Sequence, residues 1–228
     1  MLNFMGLPGI MAVGGRASAR MTRCGVSALL WAAIVLQAGF AIAAADPRQC
    51  IMEAGSAVEK SDVAAFEKQV DVDAILEQAL NLFVRRAQDP EAAKDLPPMV
   101  ALLFTQAASK EGNVRALLLN ETRSFVLNGI SSGAFAGKKP SAKASQGMLA
   151  PLFADASTGR KEIKNVGQAR RDGEGWLVPF VVHDSGNDES YDVTGRVTSV
   201  KGEMRLTSVA NMESLLRRVA AESRAVEP

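Results

Sequence analysis

Between residues 48 and 130 the apolar positions recur every three or four residues; from about residue 161 to 209 they alternate. The clearest run is Ile75, Leu76, Ala79, Leu80, Phe83 and Val84, which predicts an amphipathic helix with one apolar face. Asp71 or Asp73 stands ready to cap it, and Arg85-Arg86 close it where the negative end of the helix dipole favours cations. Residues 48–59 carry Ile51, Ala54 and Val58 at the same spacing, and Ser61-Asp62 caps a short helix holding Val63 and Phe66. Asp89-Pro90 begins a connector, and Pro97-Pro98 opens a helix over 99–108, since proline is tolerated in a first turn. A longer helix is predicted from Asn113 toward Ile130. Its stripe of Val114, Leu117, Leu118 and Phe125 is widened by Leu119, Val126 and Ile130, so it is expected to make contact on more than one side.

The stretch 129–147, rich in Gly, Ser, Ala and Lys, predicts a flexible loop near 131–160. Beyond it, residues 161–171, 176–183, 191–200 and 203–209 read as four strands, with Asp172-Gly173 and Lys201-Gly202 as hairpin turns. Trp176, Val178, Phe180 and Val182 share a face matched by Met204 and Leu206. The other face carries Lys164, Gln168, Arg170, Thr194, Arg196, Thr198, Arg205 and Thr207. Pro179 has no amide proton, which predicts an edge or a bulge there. Asn211 is expected to cap a closing helix over 212–221, with Met212, Leu215, Leu216 and Val219 on one side. Helices followed by an antiparallel sheet make the fold α+β: one domain over 46–228, its helical N-terminal half packed on a four-stranded antiparallel sheet and closed by a C-terminal helix.

Upstream, residues 26–45 are free of charge, preceded by Arg16, Arg20 and Arg23 and ending in Ala43-Ala44-Ala45. Basic start, apolar core and small-residue exit predict a signal peptide over 1–45, cut before Asp46. A start at Met21 would leave a 25-residue signal of ordinary proportions. The competing reading is an uncut anchor, because about 20 apolar residues suffice to span a bilayer core. Pro47-Arg48-Gln49 before Cys50 argues against lipidation of that cysteine, and Cys24 precedes the apolar core. The expected location is periplasmic or secreted, with no membrane insertion after cleavage.

Without the three leader arginines the 26 basic residues fall to 23 against 25 acidic ones, a net charge near −2. No basic stripe remains, so a nucleic-acid partner is not expected. Cys50 is then the only thiol, which excludes an intramolecular disulfide and predicts a buried small side chain, with an exposed thiol as the alternative.

Candidate chemistry is sparse. His183 is the sole histidine, and beside Asp184 it has the composition of an acid–base pair, though Ser185 lies too close along the chain to serve as nucleophile. A zinc site lacks ligands. Asp184, Asp188, Glu189 and Asp192 crowd one hairpin without the spacing of a calcium loop. No phosphate-cradling Gly-x-x-x-x-Gly-Lys-Ser/Thr is present, and the sequon at Asn120 falls in an apolar helix. No metal or cofactor is therefore expected. Arg196 and Arg205 share the polar sheet face with Thr194, Thr198 and Thr207. Were that face concave, the two guanidinium forks would suit a small anionic ligand, with His183 and a rim-placed Tyr191 nearby.

The segments GEGWLVPFVVHDSG and YDVTGRVTSVKGEMRLTSVANMESLLRRV resemble the end of small exported cone-shaped domains of the NTF2-like type. In these a basic-residue–Leu–Thr strand precedes Asn-hydrophobic-x-x-Leu-Leu; here the counterparts are Arg205-Leu206-Thr207, then Asn211, Leu215 and Leu216. KSDVAAFEKQVDVDAILEQAL is similar to a helix of the same domains. The resemblance implies a curved sheet wrapped by helices around a pocket, and transfers no catalytic Asp–His pair. The leading expectation is a non-enzymatic exported binding or accessory protein, its partner a small ligand or an envelope protein. The alternatives are a hydrolase or isomerase using His183 with a nearby carboxylate, and a structural homodimer module.

Overall fold

A computed structural model describes residues 46–93, 98–109, 113–138 and 159–225, with only the backbone of 98–100 and 220–225. The first helix, α1 (Pro47–Lys60), starts on Asp46, whose carboxylate accepts from the Arg48 amide at 2.9 Å. It ends where Ser61 turns left-handed at φ 60. Asp62 caps α2 (Val63–Gln69) and Asp71 caps α3 (Val72–Gln88), each accepting from the amide three residues on. The expected connector at Asp89-Pro90 winds into a one-turn helix, α4 (Pro90–Ala93), because Asp89 accepts from the Glu91 and Ala92 amides. The helices α5 (Pro98–Ala108) and α6 (Val114–Ser131) follow.

The helix α6 runs through Gly129 to Ser131, and a 3₁₀ turn (Ala134–Ala136) comes after it. A Cβ on Gly129 would sit 2.4 Å from the Phe135 ring, so the glycine belongs to a close helix–ring contact rather than to a loop. The remainder of the expected loop, 139–158, lies outside the described residues.

The sheet contains β1 (Lys161–Lys164), β2 (Arg170–Asp172), β3 (Gly175–Asp184), β4 (Glu189–Val200) and β5 (Glu203–Val209), antiparallel throughout. The expected strand over 161–171 is split: β1 pairs with the far end of β3 and β2 with its start, in one lane. Pro179 is the physical reason. It sits in a central strand, not at an edge, opposite Thr194. The Thr194 amide and carbonyl are used away from β3, by Asn211 and Ala210, so the Pro179 backbone faces the β1–β2 lane. There it can accept, and does so from the Gly167 amide at 2.8 Å, but it cannot donate. The ladder breaks at that point.

A second irregularity lies between β4 and β5. The register slips at Arg196/Val197, leaving Thr207 unpaired between Leu206 and Ser208. This bulge lets Leu206 and Val209, three residues apart, both point inward. Both margins of this end of the sheet are sealed. Val70 bridges to Leu206, the Asp71 amide donates to the Leu206 carbonyl, and the Gln78 carboxamide both donates to and accepts from the Val209 backbone. Where β5 ends, the closing helix α7 (Met212–Ala225) takes over. Asn211 accepts from the Thr194 amide and donates to the Asp192 carbonyl, and Arg218 donates to the Ser190 carbonyl. The Asn211 side chain thus serves the open edge of β4, while only its carbonyl accepts from the helix, at Leu215.

The sheet curls as a half-barrel about α1, which touches β1, β3, β4 and β5. Cys50, Ile51, Ala54 and Ala57 line the helix face that enters it. Ile51, Val178 and Val197 are fully enclosed, joined by Phe180, Val193, Leu206, Val209 and Met212. Gly195 makes room for this contact: a Cβ there would lie 2.6 Å from Leu206 Cδ1, 3.1 Å from Phe180 and 3.7 Å from Ile51. A smaller cluster of Leu80, Ala107 and Leu118 joins α3 to α5 and α6, with Phe83 and Phe104 stacked at 4.8 Å. Val219 is 46% exposed rather than joining Leu215 and Leu216 at the core.

Ile51→Ala is expected to lower unfolding stability by about 2–5 kcal/mol and Gly195→Val by about 1–3 kcal/mol, the first through a cavity and the second through overpacking. Urea denaturation followed by near-ultraviolet circular dichroism measures both. A loss below about 1 kcal/mol for Ile51→Ala would show that α1 is not the centre of the core.

Candidate functional site

Arg196 and Arg205 fall on the sheet face turned away from the helices. The curl that cradles α1 puts the apolar face inside and this polar face outside. Both guanidinium groups are engaged within the chain. Arg196 pairs with the Asp172 carboxylate across the β2–β3 turn. Arg205 reaches over the sheet margin to the carbonyls of Glu67, at 2.8 Å, and Val70, at 3.2 Å, closing the end of α2. Thr198 and Thr207 bond to each other at 3.2 Å, and Thr207 also donates to the Arg196 carbonyl at 3.4 Å. The Tyr191 hydroxyl accepts from Asn187 at 2.9 Å, with the Arg218 guanidinium 4.9 Å above its ring. Trp176 packs against the core with Arg171 over it.

His183 and Asp184 are neighbours on a strand, so their side chains leave opposite faces. Asp184 is taken by Lys161 at 2.5 Å and by the Gly186 amide at 2.8 Å. Nδ1 of His183 lies 3.1 Å from the Ser190 hydroxyl, and Nε2 is 3.9 Å from the carboxylate of the solvent-facing Asp188. Glu162 stands opposite His183 on β1, with Lys164 at 3.0 Å and Arg160 at 3.1 Å. A hydrogen bond from Lys164 outweighs desolvation, and with the charges of Arg160, Lys164 and His183 holds the Glu162 carboxyl below the ordinary glutamate range. No group of three or more metal-ligating side chains occurs among the described residues.

Cys50 is buried, and its Sγ donates to the Gln69 carbonyl at 3.2 Å. Burial pushes its thiol up to about 11, only partly offset by a hydrogen bond from the Leu206 backbone. That is the opposite of an activated cysteine, whose thiolate is stabilised.

A cleft lies elsewhere, between the end of α3, the α4 turn and the start of α7. Its volume is ≈ 310 Å³, and Leu82, Arg85, Arg86, Asp89, Ala92, Glu213 and Arg217 line it. The Asp89 carboxylate is spent on capping α4, and Glu213 reaches Arg217 only at 3.8 Å. The Asp89 amide already serves the Arg85 and Arg86 carbonyls, so the last turn of α3 does not depend on these arginine side chains for its capping. In the sequence Arg85-Arg86 reads as a dipole partner and Arg217 as one more charge on a closing helix; only the approach of α7 to α3 brings them together. Comparison with known protein families, with characterised proteins and with solved structures finds no match for this chain. No described helix is long and apolar enough to cross a membrane.

Two pH effects follow from these groups. The unfolded Cys50 thiol ionises near pH 9.0, and the folded one only near pH 11. Its contribution is therefore complete below about pH 9 and lost as pH rises toward 11, a fall of order 2–3 kcal/mol that Cys50→Ala should abolish in urea titrations. The native thiol should stay unreactive toward a thiol-exchange reagent at pH 8 until the protein unfolds. Glu162 acts at the other end: its lowered folded value stabilises the protein above the ordinary glutamate range, and that stabilisation disappears as pH falls through the folded value. Glu162→Gln should flatten the acid limb of the stability curve; an unchanged limb would remove its role.

Proposed function

We propose that the protein is an exported binding or accessory module, released to the periplasm or secreted, that acts by holding a partner rather than by covalent chemistry. The observation that carries this reading is the separation of His183 and Asp184 onto opposite sheet faces, with Asp184 held by Lys161 at 2.5 Å. General acid–base catalysis needs a proton-transfer group and its orienting partner within hydrogen-bond reach around a bound substrate. The acids near His183 are either solvent-facing, as Asp188 is, or engaged by cations, as Glu162 is.

Export is supported by the charge and apolar pattern of residues 1–45. The start of α1 agrees with it, since the bonds of its first turn begin on Asp46, the residue that would become the new N-terminus. The NTF2-like resemblance is supported by a curled antiparallel sheet cradling a helix. The position where such a domain would hold a pocket is filled here by Ile51, Val178 and Val197.

The hydrolase reading keeps one observation in its favour, the 3.1 Å contact between His183 and Ser190. The test separates the two. Protein recovered from the periplasmic or secreted fraction should begin at Asp46 by intact mass, and recovery only with residues upstream of Asp46 retained overturns export. Ester and amide hydrolysis assays should show no turnover that His183→Ala or Ser190→Ala removes; turnover lost in both variants overturns the binding reading.

A further inference from the structure

We infer that the cleft between α3, α4 and α7 is a binding site for a small oxyanion, a carboxylate or phosphate group gripped between Arg85 of α3 and Arg217 of α7. This deepens the binding reading above and rests on it. Arg85 and Arg217 line the cleft together with the carboxylates of Asp89 and Glu213, and neither carboxylate neutralises them closely. Asp89 directs its charge at two backbone amides of α4. Glu213 holds Arg217 loosely, at 3.8 Å along one helix, with both side chains about 61% exposed. Arg85 makes no hydrogen bond or ion pair among the described residues. The two arginines expected to hold an anion are engaged within the chain, Arg196 by Asp172 and Arg205 by two helix carbonyls, and Arg115 and Arg123 are likewise paired, with Glu77 and with Glu67 and Asp73.

Placing guanidinium groups from separate helices around one hollow is mildly unfavourable while the hollow holds only water, and becomes favourable when an anion enters. The fork geometry of arginine suits a planar carboxylate or a phosphate with two oxygens presented. Leu82 and Ala92 give the cleft a short apolar wall against which the carbon part of such a ligand can lie. A volume of ≈ 310 Å³ stands at the lower end of small-molecule sites.

The test titrates the purified protein with inorganic phosphate and, separately, with citrate, by isothermal calorimetry at constant low ionic strength held with chloride. Saturable binding of at least one of the two is expected. Arg85→Ala and Arg217→Ala should each weaken it about tenfold or more, whereas Glu213→Gln, which removes a competing carboxylate, should tighten it several-fold. Arg196→Ala should leave it unchanged. Preference for phosphate or for citrate identifies the head group within the same chemistry. No saturable binding of either probe, or binding insensitive to Arg85→Ala and Arg217→Ala, overturns the site. Binding that survives these substitutions would do so while leaving the broader binding reading intact, and turnover lost with His183 would overturn that reading while leaving the cleft measurement standing.

Discussion

The fold depends on one steric condition: α1 must lie deep enough in the curl of the sheet for Ile51 to meet Val178 and Val197 with no solvent between them. Gly195 keeps the packing around it close, because a Cβ there would occupy the space taken by Leu206 and press on Phe180 beside Ile51. Close packing of this kind admits neither a gap nor an extra methyl group without cost. It also decides which face of the sheet is inside. Once the apolar face is committed to α1, the polar residues of β3, β4 and β5 are turned outward.

That commitment explains why the polar side chains are spent as they are. An outward-facing curled sheet with one ragged end exposes backbone groups that must be satisfied. Gln78 pairs with the Val209 backbone, Asn211 with Thr194 and Asp192, and Arg218 with Ser190. Arg205 ends α2 in the same manner. These residues have the composition of a binding site and the geometry of a seam. Arg85 and Arg217 meet elsewhere, at the cleft where the end of α3 approaches the start of α7.

The helical addition of α5 and α6 is attached differently. Its apolar cluster is small, and Arg115 and Arg123 add ion pairs to α2 and α3. Partly exposed pairs contribute little individually. The weight of holding this pair of helices therefore falls on Leu80, Leu118 and the Phe83–Phe104 stack, with Gly129 allowing Phe135 to close the far end.

Local pattern alone decided the longer helices, the Asp62 and Asp71 caps, the inward residues of β3 and the two-residue turn at Lys201-Gly202, where both residues take positive φ. These features follow from periodicity and from the conformational preferences of single residues, which do not depend on distant parts of the chain. The burial of Cys50 was legible too, from its place beside Ile51. Tertiary structure decided the rest: the break opposite Pro179, the bulge at Thr207, the outward turn of Arg196 and Arg205, the parting of His183 from Asp184, and the meeting of Arg85 with Arg217 in one cleft. Each of these depends on which strand lies beside which, and on how far a helix can sink into a sheet. Those quantities are set by contacts between residues far apart in the chain, 131 positions for Gln78 with Val209 and 138 for Glu67 with Arg205, and no local period encodes them.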